Sequence, residues 1–215
     1  KRTDKRIMNK INYQKELDKI TEKIGEKKPK LFLHSCCAPC SSYVLEYLTK
    51  YFDITLFYFN PNISPEEEYI KRVNEVKRLV AEMPCCKDVK VIEGRYDSRE
   101  FFEYVKGLEN EREGGARCIK CFELRLEETA KLAKENGADY FCTTLTISPL
   151  KNVENLNAVG RKMAEKYGVK WLPSDFKKRE GYKRSIELSA EYNLFRQNYC
   201  GCIFSKNAQM YKSGE

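Results

Sequence analysis

The sequence contains no run of about 18 consecutive apolar residues, which is the length that a membrane-spanning helix requires. Residues 1–17 are rich in lysine and arginine and lack the apolar centre of a secretory signal. There is also no internal repeat, no low-complexity linker and only one histidine, His34. These absences lead us to expect a cytoplasmic protein that has no membrane partner.

The composition is that of a folded protein with a positive charge. The chain has 215 residues, of which 41% are hydrophobic and 12% aromatic, and this excludes a disordered chain. The length suits one domain, or one domain with a modest extension. The formal net charge of +8 suggests a polyanionic partner, most commonly a nucleic acid. The alternative is a lysine-rich surface that only contacts solvent.

Short apolar segments alternate with helix-like segments along most of the chain. The five strand candidates are KLFLHS, DITLFYFN, VKVIEG, DYFCTTLTI and VKWLP. This alternation predicts an α/β fold, with an approximately five-stranded, mainly parallel sheet and helices on both faces. The class is Rossmann-like, of the adenine-nucleotide alpha-hydrolase-like type. We expect an N-terminal helical extension over residues 1–29 and a single α/β catalytic domain with a metal site over residues 30–215, ending in a helical tail.

Two local signals refine this prediction. Apolar residues at helical spacing over residues 7–26 predict an amphipathic N-terminal helix. Ser64, Pro65 and the acidic residues that follow predict a helix with Ser64 as N-cap and Pro65 at the first helical position.

The predicted sheet indicates where a ligand binds. In open α/β sheets the ligand lies beyond the carboxyl ends of the strands. In this chain those ends are residues 35–40, 60–62, 96, 144–148 and 174–176. The cysteine-rich segment HSCCAPCSS therefore falls on the edge where we expect the functional site.

Cysteine is the residue type that carries the chemical signal, with ten copies in a chain expected to be cytoplasmic. In that compartment cysteines favour metal or redox chemistry over structural disulfides. Cys142 lies in an apolar strand, which predicts a buried side chain without a chemical role. Cys85 and Cys86 lie in a loop between a helix and a strand and are predicted to be outside the site. The remaining cysteines form three groups: Cys36, Cys37 and Cys40; Cys118 and Cys121; Cys200 and Cys202.

The residues alone leave three kinds of site open: a structural zinc site, an iron–sulfur cluster and a dithiol. Zinc ribbons usually carry their cysteine pairs on hairpins, whereas here one group ends a strand and another opens a helix. A cysteine pair at a helix start has its thiolates stabilised by the helix dipole. A 4Fe–4S cluster takes four thiolates, and further thiols next to an electron carrier have a use in redox chemistry. This favours the cluster. His34, at a strand end, is more typical of a hydrogen-bonded core residue than of a ligand.

Several segments together resemble the QueH type of epoxyqueuosine reductase. They are LHSCCAPCSS, FYFNPNISPEEEYIKR, EGRYDSREFF, EGGARCIKCFELRLEETAKLA, FCTTLTISPLKN, DFKKREGYKRSIELS and LFRQNYCGCIFS. They extend from about residue 31 to residue 205, and the combination is specific although one C-x-x-C motif is not.

The resemblance implies the last step of queuosine synthesis. The epoxide of epoxyqueuosine, at the wobble position of a tRNA anticodon, is reduced to an alkene and water. The family does this without cobalamin, with a 4Fe–4S cluster and a second, adjacent iron. The implied partners are the tRNA that carries epoxyqueuosine and an electron donor.

The resemblance also implies roles for individual residues. The ligands of the cluster would be Cys36, Cys37, Cys118 and Cys121. Cys200 and Cys202 would be the redox-active pair or ligands of the second iron. Cys40 and Asp175 are further candidate metal ligands, and Tyr96, His34 or water are candidate proton donors.

Two other functions compete with this prediction. ATP-dependent tRNA thiolases combine similar features, but their phosphate loop reads S-G-G-x-D-S, whereas SCCAPCSS has no glycine for a phosphate to approach. We therefore expect no use of ATP. The other competitor is a zinc-stabilised RNA-binding module. A basic segment suits phosphate contacts and stacking on an unpaired anticodon base, and the alternative is a charged face that only contacts solvent; its residues are Phe176, Lys177, Lys178, Arg179, Tyr182, Lys183 and Arg184.

Overall fold

A five-stranded, all-parallel sheet forms the centre of the molecule and confirms the predicted α/β class. The computed structural model describes residues 11–213, and the side chains of residues 11–208. The strands are β1 (Lys30–Ser35), β2 (Asp53–Tyr58), β3 (Lys90–Glu93), β4 (Tyr140–Thr143) and β5 (Lys170–Trp171), in the spatial order β3-β2-β1-β4-β5. The helices are α1 (Tyr13–Ile24), α2 (Ala38–Leu48), α3 (Glu66–Glu82), α4 (Ser98–Tyr104), α5 (Ala116–Glu135), α6 (Val153–Tyr167), α7 (Gly181–Glu191) and α8 (Ile203–Ser213).

The central strand β1 shows why the sheet is covered on both faces. Successive side chains of a strand point to opposite faces. Leu31 and Leu33 pack into one core, which contains residues of α2 and α3, and Phe32 packs into the other, which contains residues of α5 and α6. Full burial of each such side chain contributes about 1.5–3 kcal/mol, so both helical layers are held by the same strand.

The strand order reverses between β1 and β4. The chain moves outward from β1 to β2 and β3, then returns to place β4 on the other side of β1. In such sheets the loops that leave the two strands at the reversal diverge and open a crevice. The segment of residues 36–40 after β1 and the segment after β4 therefore face each other across this crevice.

Two predicted helix boundaries differ from the structure. The helix after β2 begins at Glu66 with Pro65 as its N-cap, so the predictions of Ser64 as the N-cap and of Pro65 at the first helical position were both wrong. The Ser64 N–H instead donates to the Gly201 carbonyl (3.0 Å), which ties it to the C-terminal segment. The N-terminal helix spans Tyr13–Ile24, and residues 7–10 of its predicted range lie outside the described residues.

The predicted helical tail is confirmed, and it consists of two helices. α7 packs against α2, and α8 begins directly after the Cys200–Gly201–Cys202 segment. Within residues 11–213, every helix is too short or too polar to cross a membrane.

A buried asparagine connects α6 to the end of the sheet. The Asn157 side chain is fully buried. Its Nδ2 donates to the carbonyls of Val153 (2.9 Å) and Ser174 (3.0 Å), and its Oδ1 accepts from Trp171 Nε1 (3.0 Å) and the Ser174 N–H (3.2 Å). Removing this amide would leave buried donors and acceptors without partners.

We predict that Asn157→Ala lowers the free energy of unfolding by about 2–4 kcal/mol, because unpaired buried polar groups are costly. The control is Asn155→Ala on the same helix, where the side chain is partly exposed, and its expected effect is below about 1 kcal/mol. Urea unfolding of both variants measures the difference. Equal losses in the two variants would show that the buried amide does not stabilise this corner.

Candidate metal and thiol site

A cavity of about 260 Å³ lies at the carboxyl edge of the sheet, in the crevice between the segments that follow β1 and β4. This is the edge of the sheet at which the sequence predicts that a ligand binds. The cavity is lined by the seven cysteines of the three predicted groups: Cys36, Cys37, Cys40, Cys118, Cys121, Cys200 and Cys202. Segments far apart in sequence thus bring their thiols to one place.

The first group lies at the start of α2. Cys37 is the N-cap of this helix, and Cys40 lies in its first turn. The sulfur atoms of Cys36, Cys37 and Cys40 all lie within 4.8 Å of one another, a spacing that allows them to hold a metal ion. The positive end of the helix dipole favours negative charge on sulfur at this position.

These three thiols share one negative charge. Hydrogen bonds from the Cys37 and Cys40 thiols lower the pKa of Cys36 well below its usual value, and the positive charge of Arg125 acts in the same direction. The hydrogen bond with Cys36 in turn raises the pKa of Cys37 to about 12, and burial and the charge on Cys36 act in the same direction. Thiolates this close repel one another, so full ionisation of the group requires a cation among them.

The second group lies on α5. Cys118 and Cys121 occupy its first two turns, so they also face the positive end of a helix. The Gly114 N–H lies 3.2 Å from Cys118 Sγ and donates to it. Burial raises the pKa of Cys121, while Arg125 Nη1 lies 3.9 Å from its sulfur.

The third group precedes α8. The sulfur atoms of Cys200 and Cys202 are 3.4 Å apart, and all ten cysteines of the chain are free thiols in the structure. The hydrogen bond with the Cys202 thiol lowers the pKa of Cys200 to about 5, and the charge of Lys151 also lowers it. The Ser205 N–H donates to Cys202 Sγ (3.4 Å). Cys200 is thus the member of the pair that carries the negative charge.

Sequence reasoning missed Arg125, a buried cation next to Cys121 and His34. Its side chain is 5% exposed. Its Nη2 donates to Asn60 Oδ1 (2.5 Å), and its Nε lies 3.4 Å from His34 Nε2. The spacing of residues in the sequence could have identified it, because Arg125 follows Cys121 by four residues and therefore lies on the same face of the helix.

Lys151 was also missed, and it connects the cavity to the dithiol. Its Nζ lies 3.2 Å from Glu113 Oε1, and the Ser205 hydroxyl donates to Glu113 Oε2 (3.1 Å). Burial opposes the charge of Lys151, but the negative charges of Cys200 and Glu113 raise its pKa overall. No motif in the sequence marks this lysine, because its partners come from distant loops.

The structure places the other candidate residues away from the cavity wall. His34 is fully buried, and its Nδ1 lies 2.9 Å from Thr143 Oγ1. Burial and the charge of Arg125 lower the pKa of His34 to about 3, so its ring is neutral near pH 7. The Tyr96 hydroxyl donates to the Ile63 carbonyl (2.8 Å).

Asp175 lies in a different cavity from the thiols. It lines a second depression near the start of α6, where its Oδ1 is 2.9 Å from Lys177 Nζ. Lys151 lines both cavities. The structure does not bring Asp175 together with the cysteines, and its role as a metal ligand stays a prediction.

The cysteines predicted to be outside the site do not line the cavity. Cys142 is fully buried in β4, and its thiol donates to the Leu172 carbonyl (3.3 Å). Cys85 and Cys86 lie in a short 3₁₀ turn with their sulfur atoms 3.8 Å apart. Both expectations agree with the structure.

The predicted basic segment is less available to RNA than the sequence suggested. Phe176 is 1% exposed and cannot stack on a base, so that prediction was wrong. Arg179 and Arg184 form ion pairs with carboxylates of α1 and α2. Tyr182 keeps 36% of its surface exposed and lines the cavity.

The donor set of the cavity fits an iron–sulfur centre or zinc. Both take soft thiolate ligands, and four thiolates suffice for a cluster. Cys36, Cys37, Cys118 and Cys121 supply four sulfur atoms on one cavity. The helix dipoles and Arg125 offset part of the negative charge that such ligands carry.

Comparison with known proteins identifies the family. The family model described as "Epoxyqueuosine reductase QueH" matches residues 31–208. The chain belongs to the epoxyqueuosine reductase QueH family. Its relatives with this name include a Staphylococcus epidermidis protein, 49% identical over 207 residues that cover 93% of this chain and 87% of the relative. The match to the Thermotoga maritima protein of the same name is 36% identical over 191 residues, 86% of this chain and 94% of the relative.

The family membership fixes the class of activity. A QueH family member is an oxidoreductase, which agrees with the resemblance found in the sequence. A Streptococcus pyogenes relative, also named epoxyqueuosine reductase QueH, is 45% identical over 205 residues that cover 93% of this chain and 80% of the relative. The chain is therefore an enzyme.

The glycine between Cys200 and Cys202 gives a testable prediction. Gly201 has φ 101°, and a Cβ there would lie 2.9 Å from Arg72 Nη1. A side chain in this region costs about 1–3 kcal/mol, and each 1.4 kcal/mol is a factor of ten in population. We expect Gly201→Ala to open the segment and speed alkylation of the buried Cys202 thiol about tenfold, measured by mass spectrometry.

The control for this variant is Gly107→Ala. Gly107 has φ 82°, and nothing lies within 4 Å of a Cβ there, so the change adds backbone strain without touching the cavity. Cys202 in this control should react at the wild-type rate. If both alanine variants accelerate the reaction equally, the effect comes from general destabilisation and not from the Cys200–Cys202 segment.

Proposed function

We propose that the chain reduces the epoxide of epoxyqueuosine in tRNA to the alkene of queuosine, with the modified wobble nucleoside bound in the thiol-lined cavity. The observation that carries this proposal is the gathering of seven thiols from three chain segments on a cavity large enough for a small ring. Family membership supplies the reaction class.

Cys36, Cys37, Cys118 and Cys121 are the residues that would hold a 4Fe–4S cluster, with Cys40 as a candidate ligand of a further iron. A bound cluster would supply electrons one at a time, and an adjacent iron would act as a Lewis acid. The side chains of the protein balance the negative charge of the thiolates. Arg125, next to Cys121, stabilises negative charge on this side of the cavity.

The Cys200–Cys202 pair matches the electron requirement of the reaction. Removing the epoxide oxygen breaks two C–O bonds, forms one C=C bond and consumes two electrons and two protons. Oxidation of the Cys200 thiolate and the Cys202 thiol to a disulfide releases two electrons and one proton, so water supplies the second proton, and the 3.4 Å separation of the sulfur atoms suits that step. An external reductant then restores the thiols, which makes an electron donor a necessary partner.

The cavity wall is suited to a polyanion. Among its lining residues in the described part of the chain are five cations and no carboxylate; the cations are Arg72, Arg117, Arg125, Lys151 and Arg196. Leu150 and Tyr182 also line it and remain exposed, and the Arg196 guanidinium lies 5.4 Å from the centre of the Tyr182 ring. Exposed apolar and aromatic surfaces next to cations stack on unpaired bases while the charges attract phosphates.

The direct test is anaerobic incubation of the iron-loaded enzyme with dithionite and tRNA that contains epoxyqueuosine. Nucleosides from the digested tRNA are then measured by mass spectrometry. We expect epoxyqueuosine to be converted to queuosine, with a loss of one oxygen atom, and no dependence on ATP. Unchanged epoxyqueuosine with fully loaded enzyme, or turnover only with ATP, would contradict the proposal.

We predict that Cys36→Ala and Cys118→Ala each lose most of the bound iron, because each removes one of the four thiolates, drawn from two chain segments, that would hold the cluster. Cys142→Ala is the control, since it removes a fully buried cysteine that lies outside the cavity. Iron and sulfide analysis of anaerobically purified protein measures the difference. Retention of iron in both cavity variants, or equivalent zinc in place of iron, would reject the cluster assignment.

We predict that Cys202→Ala retains most of the iron but loses epoxide reduction by at least about 100-fold, the scale of losing a group that acts in the chemical step. The variant leaves Cys200 without its thiol partner, so a disulfide cannot form. The assay is the tRNA reaction described above. Full turnover in this variant would exclude the thiol pair from the reaction.

A further inference from the structure

An exposed aromatic ring lies outside the thiol cavity, next to one of its walls. Phe195 is 54% exposed and does not line the cavity, but the following residue, Arg196, does. Lys71 Nζ lies 4.6 Å from the centre of the Phe195 ring, which is within the range of a cation–π contact. Since single exposed apolar residues are common on proteins, the significance of this ring depends on what surrounds it.

The chain around Phe195 is fixed to two helices. The Leu194 N–H donates to the Ser189 carbonyl of α7 (2.7 Å), and the Phe195 N–H donates to Glu75 Oε1 of α3 (2.9 Å). Arg196 Nη1 donates to Ser189 Oγ (3.0 Å). The Phe195 ring is therefore presented from an anchored segment, and a ligand that binds it does not have to order that segment first.

A second aromatic–cation pair connects Phe195 to the cavity. The Arg196 guanidinium lies 5.4 Å from the centre of the Tyr182 ring, and both residues line the cavity. Tyr182 is 36% exposed, and Ile186, one turn later on α7, is 44% exposed. The two pairs are joined through the adjacent residues 195 and 196, and we call Lys71, Phe195, Arg196 and Tyr182 the stacking surface.

The cations of the stacking surface keep their positive charge available. Lys71 is exposed and forms no ion pair within residues 11–208. Arg196 Nη1 donates to two neutral groups, the Ser185 carbonyl and the Ser189 hydroxyl, and Glu75 contributes one carboxylate nearby, which accepts from a backbone N–H. Lysine is depleted in protein–protein interfaces, whereas aromatic rings beside cations are typical of surfaces that bind single-stranded nucleic acid.

We propose that the stacking surface binds a nucleotide adjacent to the wobble nucleoside of the tRNA, whose base stacks on Phe195 and whose phosphate pairs with Lys71. The inference rests on the proposed reduction of epoxyqueuosine in tRNA and adds a binding surface outside the thiol cavity. The bases of an anticodon loop are unpaired, so they can stack on aromatic side chains. When the wobble nucleoside occupies the cavity, the RNA chain leaves it on both sides, and the surface that starts at Tyr182 and Arg196 binds one of these neighbours.

The first test is Phe195→Ala in the iron-loaded enzyme. The probe is a fluorescently labelled RNA hairpin of the anticodon stem and loop with unmodified guanosine at the wobble position, and fluorescence anisotropy at constant salt concentration measures its Kd. We expect Kd to rise about tenfold, the scale of one lost base–aromatic contact. The control is Phe102→Ala, which removes another exposed ring (40%) that lies against Phe101 and Phe204. Its Kd should stay within about twofold of the wild-type value.

The second test identifies the RNA group that Phe195 contacts. Two further hairpins each lack one base, on the 5′ or on the 3′ side of the wobble nucleotide. One of them should bind the wild-type enzyme about tenfold more weakly than the intact hairpin does. Phe195→Ala should bind that hairpin and the intact one equally, because the ring and the base belong to the same contact.

The third test concerns the phosphate. Lys71→Gln should lower the slope of log Kd against log salt concentration by about 0.7–0.9, as for the loss of one phosphate contact. The control is Lys77→Gln on the same helix, where the lysine Nζ already pairs with Glu93 (2.5 Å). The slope for this control should equal the wild-type slope.

The outcomes separate this inference from the function on which it rests. If the wild type does not reduce epoxyqueuosine, the proposed function fails, whereas the hairpin measurements test the stacking surface without any turnover. The inference is wrong if the wild type binds no hairpin, if Phe195→Ala and Phe102→Ala have the same Kd, or if Phe195→Ala still binds the base-deleted hairpin more weakly. If Phe195→Ala instead changes the oligomeric state measured by light scattering and leaves Kd unchanged, the surface contacts protein, which also overturns the inference.

Discussion

Mutual repulsion between closely spaced thiolates is the constraint on which this structure depends. Cys36, Cys37 and Cys40 bring three sulfur atoms within 4.8 Å of one another, and the other cavity cysteines come from α5 and from the segment before α8. Such a group is stable only if positive charge surrounds it. The protein supplies that charge by placing all three groups at the N-terminal ends of helices and by burying Arg125 among them.

The parallel sheet makes this arrangement possible. Every helix that follows a strand starts at the carboxyl edge, so the positive ends of α2 and α5 point to the same side of the molecule. The reversal of strand order between β1 and β4 opens the crevice at that side. The two cores on the faces of the sheet hold the helices in place, and the cavity forms where those helices begin.

The buried polar residues around the cavity hold different parts of the site in place. Arg125 and His34 are enclosed and bound to Asn60, Phe59 and Thr143, so they fix the base of the site. Lys151, Glu113 and Ser205 join two loops to the start of α8 around the dithiol.

Local sequence patterns determined the class of fold and the positions of the thiols, because strand and helix periods, caps and cysteine spacing act over a few residues. The five strands, the carboxyl edge and the three cysteine groups could therefore be predicted, as could the exclusion of Cys142. Tertiary structure alone decided the rest. It buried Phe176, placed Asp175 in a different cavity from the cysteines and started α3 at Glu66, after Ser64 and Pro65. It also brought Arg125, Arg72 and Lys151 to the cavity, because burial and the pairing of charges depend on contacts between segments distant in sequence.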